Sequence, residues 1–294
     1  MKQKTLGNEI GCSGVGLHSG KQVSLLIKPA PANTGIVFRR TDLNKEIKAS
    51  YEKVSCTMLG TTISDGDVKV STIEHLMAAF WGCDIDNAIV EIDAPEIPIM
   101  DGSAEPFVFL MDCAGVVSQD APKYYIQVMK KIEVQDGDST IVIEPSDEFS
   151  VQLEVDFNDN VIGKQRGTFT VDENCFKRDI SRARTFGFER EIFALRKQGL
   201  ALGGSLDNAI VVGDEKVLNS KGLRYVDEFA RHKILDCIGD LFLAGTKIKG
   251  KVTAYKSGHS INNKVLKTMF ADKESFAVMP DVRLGVIAMK KAVM

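Results

Sequence analysis

Four histidines are the residues of this chain best suited to chemistry, and each lies near a glycine or a carboxylate. They occur in Gly16-Leu17-His18-Ser19-Gly20, in Glu74-His75, in His232-x-x-x-Asp236 and in Lys256-Ser257-Gly258-His259. Two imidazoles and one carboxylate form a ligand set of catalytic zinc, which keeps one position open for water. A further glutamate and a further histidine would supply a general base and a general acid. The histidine pattern therefore indicates a catalytic metal site.

The pair His232 and Asp236 lies in a helix predicted for residues 229–244. Because the two residues are four positions apart, their side chains share one face and are separated by about 6 Å along the axis. That separation allows two side chains to bind one ion. Asp240 continues the same stripe, and Lys233 lies beside it. A solvated polar face, or a hydrogen bond between His232 and Asp236, remains an alternative explanation of the spacing.

Glu74 and His75 lie in a second predicted helix, residues 71–80. Ser71 is a favourable N-cap, and Glu74 three residues later completes a capping box. Glu74 is therefore explained either as a cap or as a base, and His75 either as a buried histidine or as a ligand. The order Glu-His does not match the H-E-x-x-H motif of the common zinc proteases.

The other two histidines, His18 and His259, lie in loops that contain glycine. A histidine at such a place can act as a general acid on a rigid corner, but it also occurs in ordinary turns. Each of the four signals is weak alone. Together they supply three metal ligands, a base and an acid.

The composition bounds the class of protein. The chain has 294 residues, 44% of them hydrophobic and 26% charged, which suits one large or two medium soluble domains. The net charge of −3 gives no reason to expect nucleic acid or an anionic membrane surface as a partner. The six cysteines form no C-x-x-C pair, and no stretch approaches the ~20 apolar residues of a membrane span. We expect a cytoplasmic protein with free thiols, whose metal site must use histidine and carboxylate.

Hydrophobic periodicity predicts the same order of elements in both halves of the chain. Helices are predicted at residues 71–80, 104–114, 186–199, 229–244 and 260–270. Strands are predicted at residues 23–28, 35–40, 68–70, 88–92, 123–134, 140–144, 149–157, 209–212 and 251–255. Each half runs strands, helix, strand, helix, which is typical of two α+β layers with helices on one face of each sheet. The domain boundary is expected near Ala121-Pro122, giving domains 1–122 and 123–294.

Five longer motifs, in this order, resemble the UDP-3-O-acyl-N-acetylglucosamine deacetylase family, the zinc enzymes of the committed step of lipid A synthesis. They are Ser71-Thr72-Ile73-Glu74-His75-Leu76, Ala94-Pro95-Glu96-Ile97-Pro98-Ile99-Met100-Asp101-Gly102-Ser103, Ser181-Arg182-Ala183-Arg184-Thr185-Phe186-Gly187-Phe188, His232-Lys233-x-x-Asp236 and Lys256-Ser257-Gly258-His259. The resemblance extends from Lys4 to about Phe270. It implies two similar domains, each a five-stranded sheet with two helices on one face, whose helix layers pack together in a β-α-α-β sandwich.

The resemblance also implies roles for single residues. The zinc ligands would be His75, His232 and Asp236, and Fe²⁺ suits the same ligands nearly as well. The catalytic groups would be Glu74 as base, His259 as acid, Thr185 beside the oxyanion and Asp240 beside the acid histidine. Amide hydrolysis needs these parts, because the nucleophile must be activated, the oxyanion stabilised and the leaving amine protonated. A bell-shaped pH profile is expected.

The same comparison implies a set of residues that bind an acylated UDP-sugar. They are His18, Leu59, Asp156, Phe157, Phe186, Phe188, Ile192, Ala201, Gly204, Ser205, Ala209, Val211, Lys233 and Lys256. Those between Ile192 and Val211 would line the passage for the acyl chain, although Gly203-Gly204-Ser205 is also explained as a plain turn. Alanine at position 201 and glycine at position 60 depart from relatives and bear on acyl-chain preference.

Two other classes of protein remain open. One is a zinc hydrolase that acts on a different acylated sugar nucleotide. The other is a binding protein with a structural zinc, which usually needs four protein ligands including cysteine. Cys237, next to Asp236, is the cysteine nearest to these motifs in sequence, and it points off the face shared by His232 and Asp236. The hydrolase is favoured, with a monomer expected and no stable insertion in a membrane.

Overall fold

The computed structural model describes residues 1–281, which form an α+β fold of two repeats. The first repeat contains, in chain order, β1 (Lys2–Leu6), β2 (Ile10–Val15), β3 (Gln22–Pro29), β4 (Ile36–Arg40), β5 (Lys45–Lys48), β6 (Val54–Cys56), β7 (Thr62–Asp65), β8 (Val68–Val70), α1 (Glu74–Gly82), β9 (Ala88–Ile92), α2 (Glu105–Ala114) and β10 (Val116–Pro122). A 3₁₀ turn, Tyr51–Lys53, precedes β6.

The second repeat is longer between its fifth strand and its first long helix. It contains β11 (Tyr124–Val128), β12 (Ile132–Asp136), β13 (Ser139–Glu144), β14 (Phe149–Asp156), β15 (Lys164–Thr170), α3 (Glu173–Cys175), β16 (Phe186–Phe188), α4 (Glu189–Lys197), β17 (Ile210–Val212), α5 (Glu228–Phe242), β18 (Ile248–Tyr255), α6 (His259–Ala271) and β19 (Phe276–Pro280). A π-helical turn, Phe176–Ile180, follows α3.

The two main sheets have the same topology. The first has the order β2-β3-β9-β4-β5, with β9 and β4 parallel and the other pairs antiparallel. The second has the order β12-β13-β18-β14-β15, with β18 and β14 parallel and the other pairs antiparallel. The predicted α+β class and the two similar five-stranded sheets are confirmed.

A strand pair flanks each repeat and was not expected from the sequence. β1 pairs with β10, and β11 pairs with β19, both antiparallel. β11 also joins the second sheet at the start of β18, so seven strands are hydrogen-bonded there rather than five. Because each flanking pair joins the first and last strands of a repeat, we propose a domain boundary at residue 122. Residues 282–294 of the predicted second domain lie outside the described residues.

The helix layers face each other through α1 and α5, and the contact is very close. A Cβ added to Gly239 on α5 would lie 2.0 Å from the carbonyl oxygen of Glu74 on α1. The two helix backbones therefore touch where only glycine leaves room. Nearly all of both helices is buried, and their apolar side chains, apart from Phe229, belong to one hydrophobic core shared with both sheets. Phe229 packs in a smaller cluster with Phe188 and Ile210.

Two predicted helix starts are wrong, and both errors have a tertiary cause. α1 begins at Glu74 with Ile73 as its N-cap residue, so the expected capping box between Ser71 and Glu74 does not form. Thr72, with φ of 57°, interrupts helical geometry before that point. In the predicted helix 186–199, the first three residues instead form β16, because they pair in parallel with β17, more than 20 residues later in the chain.

Both inserts lie at the same place in their repeats. The three-stranded sheet β6–β8 precedes α1, and the segment from α3 to β17 precedes α5. Each insert thus leads into the helix that carries histidine. Sequence patterning did not predict this equivalence, because the inserts differ in length and in secondary structure. No helix of residues 1–281 is both long enough and apolar enough to cross a bilayer.

Candidate metal and active site

Three side chains from the two facing helices converge at the α1–α5 contact. His75 is the second residue of α1, and His232 and Asp236 lie one turn apart on α5. Their candidate ligand atoms all lie within 4.8 Å of one another. Asp236 Oδ1 is 3.5 Å from His75 Nε2 and 3.3 Å from His232 Nε2. The spacing of His232 and Asp236 predicts that both lie on one helix face, and the fold brings His75 of the first repeat next to them.

The environment of these donors suits a cation. His232 Nδ1 lies 3.0 Å from the carbonyl oxygen of Ala183 and donates to it, which leaves the Nε2 lone pair facing Asp236. Burial lowers the pKa of His232 to about 3, so this imidazole is neutral at pH 7. Asp236 Oδ2 accepts from Lys233 Nζ at 2.9 Å. Among the described residues, the buried Oδ1 has no hydrogen-bond donor, and a bound metal ion would satisfy it.

Glu74, the first residue of α1, lies beside this cluster. Its Oε2 accepts from the backbone N–H of Thr61 at 2.8 Å, and its Oε1 is 3.9 Å from His259 Nε2. Burial raises the pKa of Glu74, and the histidines oppose the rise. Because the helix cap is absent, the capping explanation of Glu74 is wrong. A buried carboxylate beside a candidate metal site is suited to accept a proton.

His259 is the first residue of α6 and is held by Asp240. The distance from His259 Nδ1 to Asp240 Oδ2 is 2.8 Å. Burial alone would lower the pKa of His259, but the carboxylates of Asp240 and Glu74 outweigh it and raise this pKa to about 9. The imidazole is therefore protonated at neutral pH. Asp240 also accepts from the hydroxyl of Thr61 at 2.5 Å and from the amide of Asn262 at 2.9 Å.

Aromatic rings lie next to the three candidate metal ligands, His75, His232 and Asp236. The Phe186 ring is 6.2 Å from the His232 ring and 5.5 Å from Phe157, and Lys233 Nζ lies 5.7 Å from its centroid. Phe188 is 5.8 Å from Phe157. Thr185, which precedes Phe186, is half-buried. Its N–H donates to the Gly102 carbonyl at 2.8 Å, and its carbonyl accepts from the N–H of Ile210 at 2.8 Å. These backbone bonds fix Thr185 beside the aromatic group.

Lys256 and Asp156 form a polar group beyond the aromatic rings. Lys256 Nζ is 3.8 Å from Asp156 Oδ2, which also accepts from the hydroxyl of Tyr255 at 2.8 Å. Lys256 has φ of 50°, a left-handed conformation that turns the chain between β18 and α6. The turn directs the chain toward His259, three residues later.

His18 joins the first repeat to the insert of the second. Its backbone N–H donates to the buried Glu96 at 2.8 Å, its Nε2 lies 3.2 Å from the Leu59 carbonyl, and its Nδ1 lies 3.4 Å from the N–H of Ala201. The structure thus brings together three predicted substrate-binding residues that are far apart in sequence. A cavity of about 330 Å³ lies against His18, Gly60 and Glu96.

The remaining predicted lining residues lie on α4, between α4 and β17 and, in the case of Val211, on β17 itself. They are half-buried or exposed: Ile192, Gly204, Ser205, Ala209 and Val211. Gly203 has a structural explanation, because a Cβ there would lie 2.3 Å from the Gly16 carbonyl oxygen. A Cβ on Gly204 would meet only ordinary van der Waals contacts, the nearest at 3.4 Å. Close packing within the chain therefore accounts for Gly203 without a ligand.

Three residues outside the predicted set of site residues hold the site together. Thr61 contacts both Glu74 and Asp240, Asn262 contacts Asp240, and Glu96 binds the His18 loop and the hydroxyl of Thr72 at 3.2 Å. No spacing pattern in the sequence marks this threonine, asparagine or glutamate as part of a site. Only the fold brings them to the site.

Comparison with known proteins identifies the family. A family model described as UDP-3-O-acyl N-acetylglycosamine deacetylase matches residues 3–271. Proteins named UDP-3-O-acyl-N-acetylglucosamine deacetylase are 51% identical over 283 residues in Pseudomonas entomophila (95% of this chain, 93% of that one) and 50% identical over 283 residues in Teredinibacter turnerae (95% and 93%). A third, from Thioalkalivibrio sulfidiphilus, is 49% identical over 280 residues (94% and 92%). With such coverage at such identity, the chain belongs to the UDP-3-O-acyl N-acetylglycosamine deacetylase family.

Proposed function

We propose that this protein hydrolyses the N-acetyl group of UDP-3-O-acyl-N-acetylglucosamine, releasing acetate and the free 2-amino sugar nucleotide, as the committed step of lipid A synthesis. The names of the relatives support the substrate and the reaction. The observation that carries the proposal is the convergence of His75, His232 and Asp236 beside Glu74 and His259, with an Asp236 oxygen that has no hydrogen-bond donor among residues 1–281.

These three residues would hold one Zn²⁺, with Fe²⁺ as a possible substitute. The donor set fits, because His232 is neutral with its Nε2 lone pair free and Asp236 Oδ1 lacks a donor within the described chain. A bound ion of this kind lowers the pKa of water to about 7 and polarises a carbonyl oxygen.

Glu74 is the proposed general base. Its carboxylate is fixed at one oxygen by Thr61 N–H, which leaves Oε1 free to accept a proton from the attacking water. The pKa of Glu74, raised by burial, makes the carboxylate a stronger base than an exposed glutamate. Oε1 also faces the imidazole of His259, so the proposed base and acid lie on the same side of the site.

His259 is the proposed general acid. Asp240 keeps the imidazole protonated and oriented at Nδ1, so that Nε2–H points into the site and can donate to the departing amine nitrogen. Thr185 and Lys233 would stabilise the negative oxygen that develops on the carbonyl. Lys233 is already held at the site by Asp236.

Substrate binding would use the regions on either side of these groups. Phe186 offers apolar surface for the sugar, and the nucleotide would meet Asp156, Phe157, Phe188 and Lys256. The acyl chain would enter where His18 contacts Leu59 and Ala201. Its passage would then be lined by Ile192, Gly204, Ser205, Ala209 and Val211. A cytoplasmic monomer is proposed; the six cysteines, all in the described region, are unpaired.

The test combines metal analysis with an acetate-release assay on wild type and His75→Ala. The proposal expects about one zinc or iron per chain, release of acetate together with a free amine, and loss of both metal and activity in the variant. Mass spectrometry of the product separates this deacetylase from a hydrolase of another acylated sugar nucleotide. A metal-bound protein that releases no acetate would contradict the proposal.

A further inference from the structure

Thr61 contacts Glu74, the proposed base, and Asp240, the partner of the proposed acid His259. Its backbone N–H donates to Glu74 Oε2 at 2.8 Å, and its hydroxyl donates to Asp240 Oδ1 at 2.5 Å. The residue is 1% exposed. Glu74 and Asp240 belong to different repeats, and Thr61 links their carboxylates by hydrogen bonds, whereas His259 lies 2.8 Å from Asp240 Oδ2 but 3.9 Å from Glu74 Oε1.

The position of Thr61 is itself fixed by its neighbours. Its carbonyl accepts from the N–H of Ile73, the N-cap residue of α1. Leu59, with φ of 58°, and Gly60 turn the chain just before it, and a Cβ on Gly60 would already lie 3.0 Å from Glu74 Oε1. Thr61 is therefore tied to the start of the helix that carries the proposed base and cannot follow Asp240 if that side chain rotates.

The two oxygens of Asp240 have different partners. Oδ1 accepts from Thr61, whereas Oδ2 is shared by His259 Nδ1 and the amide of Asn262. Asn262 is fixed in turn by the hydroxyl of Ser257 at 2.6 Å. Rotation of the carboxylate would break the bond to His259, and the hydroxyl of Thr61 opposes that rotation from the other side.

We infer that Thr61 is a positioning residue, which sets the orientation of Asp240 and through it the aim of the His259 imidazole relative to Glu74. This inference rests on the proposed function. The hydroxyl of Thr61 is the group that holds Asp240. Valine has nearly the same shape as threonine but cannot donate this hydrogen bond. The backbone contact with Glu74 does not depend on the side chain, so substitutions at this position separate the two contacts.

The first experiment compares Thr61→Val, Thr61→Ser and a matched control. Thr5 is also buried, and its hydroxyl donates to the Asn87 carbonyl at 2.7 Å, away from the site. We expect Thr61→Val to lower kcat about tenfold or more with little change in KM, since a hydrogen bond to a charged group is lost. Thr61→Ser should restore most of kcat. Thr5→Val should lower the melting temperature but leave kcat unchanged.

The second experiment tests whether Thr61 acts through Asp240. In the background Asp240→Ala, adding Thr61→Val should cause no further loss of kcat, because the acceptor is already gone. Independent, multiplicative effects would overturn the inference, as would a Thr61→Val variant with kcat within twofold of wild type. If valine prevents folding, Thr61→Cys gives the same comparison, since a thiol is a weak donor of similar volume.

Different results would contradict the acid–base roles of Glu74 and His259 and the positioning role of Thr61. If Glu74→Gln and His259→Ala keep normal turnover, the acid–base assignment is wrong and the role of Thr61 falls with it. If both lose activity but Thr61→Val does not, only the positioning role is wrong.

Discussion

Replacing Asp240 with asparagine tests how the site keeps His259 protonated. The side chain keeps its size and can still accept from Thr61, but the charge next to His259 Nδ1 is lost. Burial lowers the pKa of His259 and the carboxylates of Asp240 and Glu74 raise it, to about 9. Asp240 is the largest of the raising contributions. Without it, burial should bring the pKa back to its ordinary value near 6.5 or below.

The size of the effect follows from that shift. A rise from 6.5 to about 9 corresponds to roughly 3 kcal/mol in favour of the charged imidazole. In wild type, kcat/KM should decline on the alkaline side near pH 9, as His259 loses its proton. In Asp240→Asn the decline should begin near or below pH 6.5, so at pH 7.5 about a tenth or less of the enzyme carries the proton.

The assay is kcat/KM for acetate release between about pH 5.5 and 10.5 on both proteins. The same shift also predicts stability. The folded pKa of His259 lies above its unfolded value, so its contribution is complete below about pH 6.5 and is lost as the pH rises through about 9. The difference in free energy of unfolding between wild type and Asp240→Asn should therefore be larger at pH 6 than at pH 10. An alkaline limb that stays at the same pH in the variant would refute the reasoning.

Three further predictions concern the base, the metal and the helix contact. Glu74→Gln should lower kcat about 10²–10⁴-fold with the fold intact, and near-normal turnover would remove Glu74 as base. A strong chelator should abolish acetate release, and added Zn²⁺ should restore it; a rate unaffected by metal loss would contradict the metal site. Gly239→Ala should destabilise the protein by about 1–3 kcal/mol in urea unfolding and weaken metal binding, because the new Cβ would lie 2.0 Å from the Glu74 carbonyl. Gly187→Ala, whose Cβ would meet no atom within 4 Å, is the stability control.

The parts of the site that lie on one helix could be predicted from the sequence. The spacing of His232 and Asp236 places both on one face of α5 whatever the rest of the fold does. The equal order of elements in the two halves also followed from periodicity, and the sheets have the same topology. Local rules were sufficient there, because each depends on residues close in sequence.

The contacts between repeats could not be predicted in this way. The start of α1 was misplaced because Thr72 adopts a left-handed conformation that a β-branched residue rarely takes, held by a bond to Glu96. The bond from Thr61 to Asp240 spans 179 positions of sequence and has no local signal. β16 forms only because its partner β17 returns from the insert. In each case tertiary structure overrides a local preference.

The repeated architecture has a consequence for how the ion and the fold depend on each other. One candidate ligand belongs to the first repeat and two belong to the second, so neither repeat offers the complete set. Free energy gained on coordination is therefore also free energy of association between the repeats. Loss of the ion should weaken the contact of α1 with α5 before it disturbs either sheet, and hydrogen exchange along those two helices would report metal occupancy.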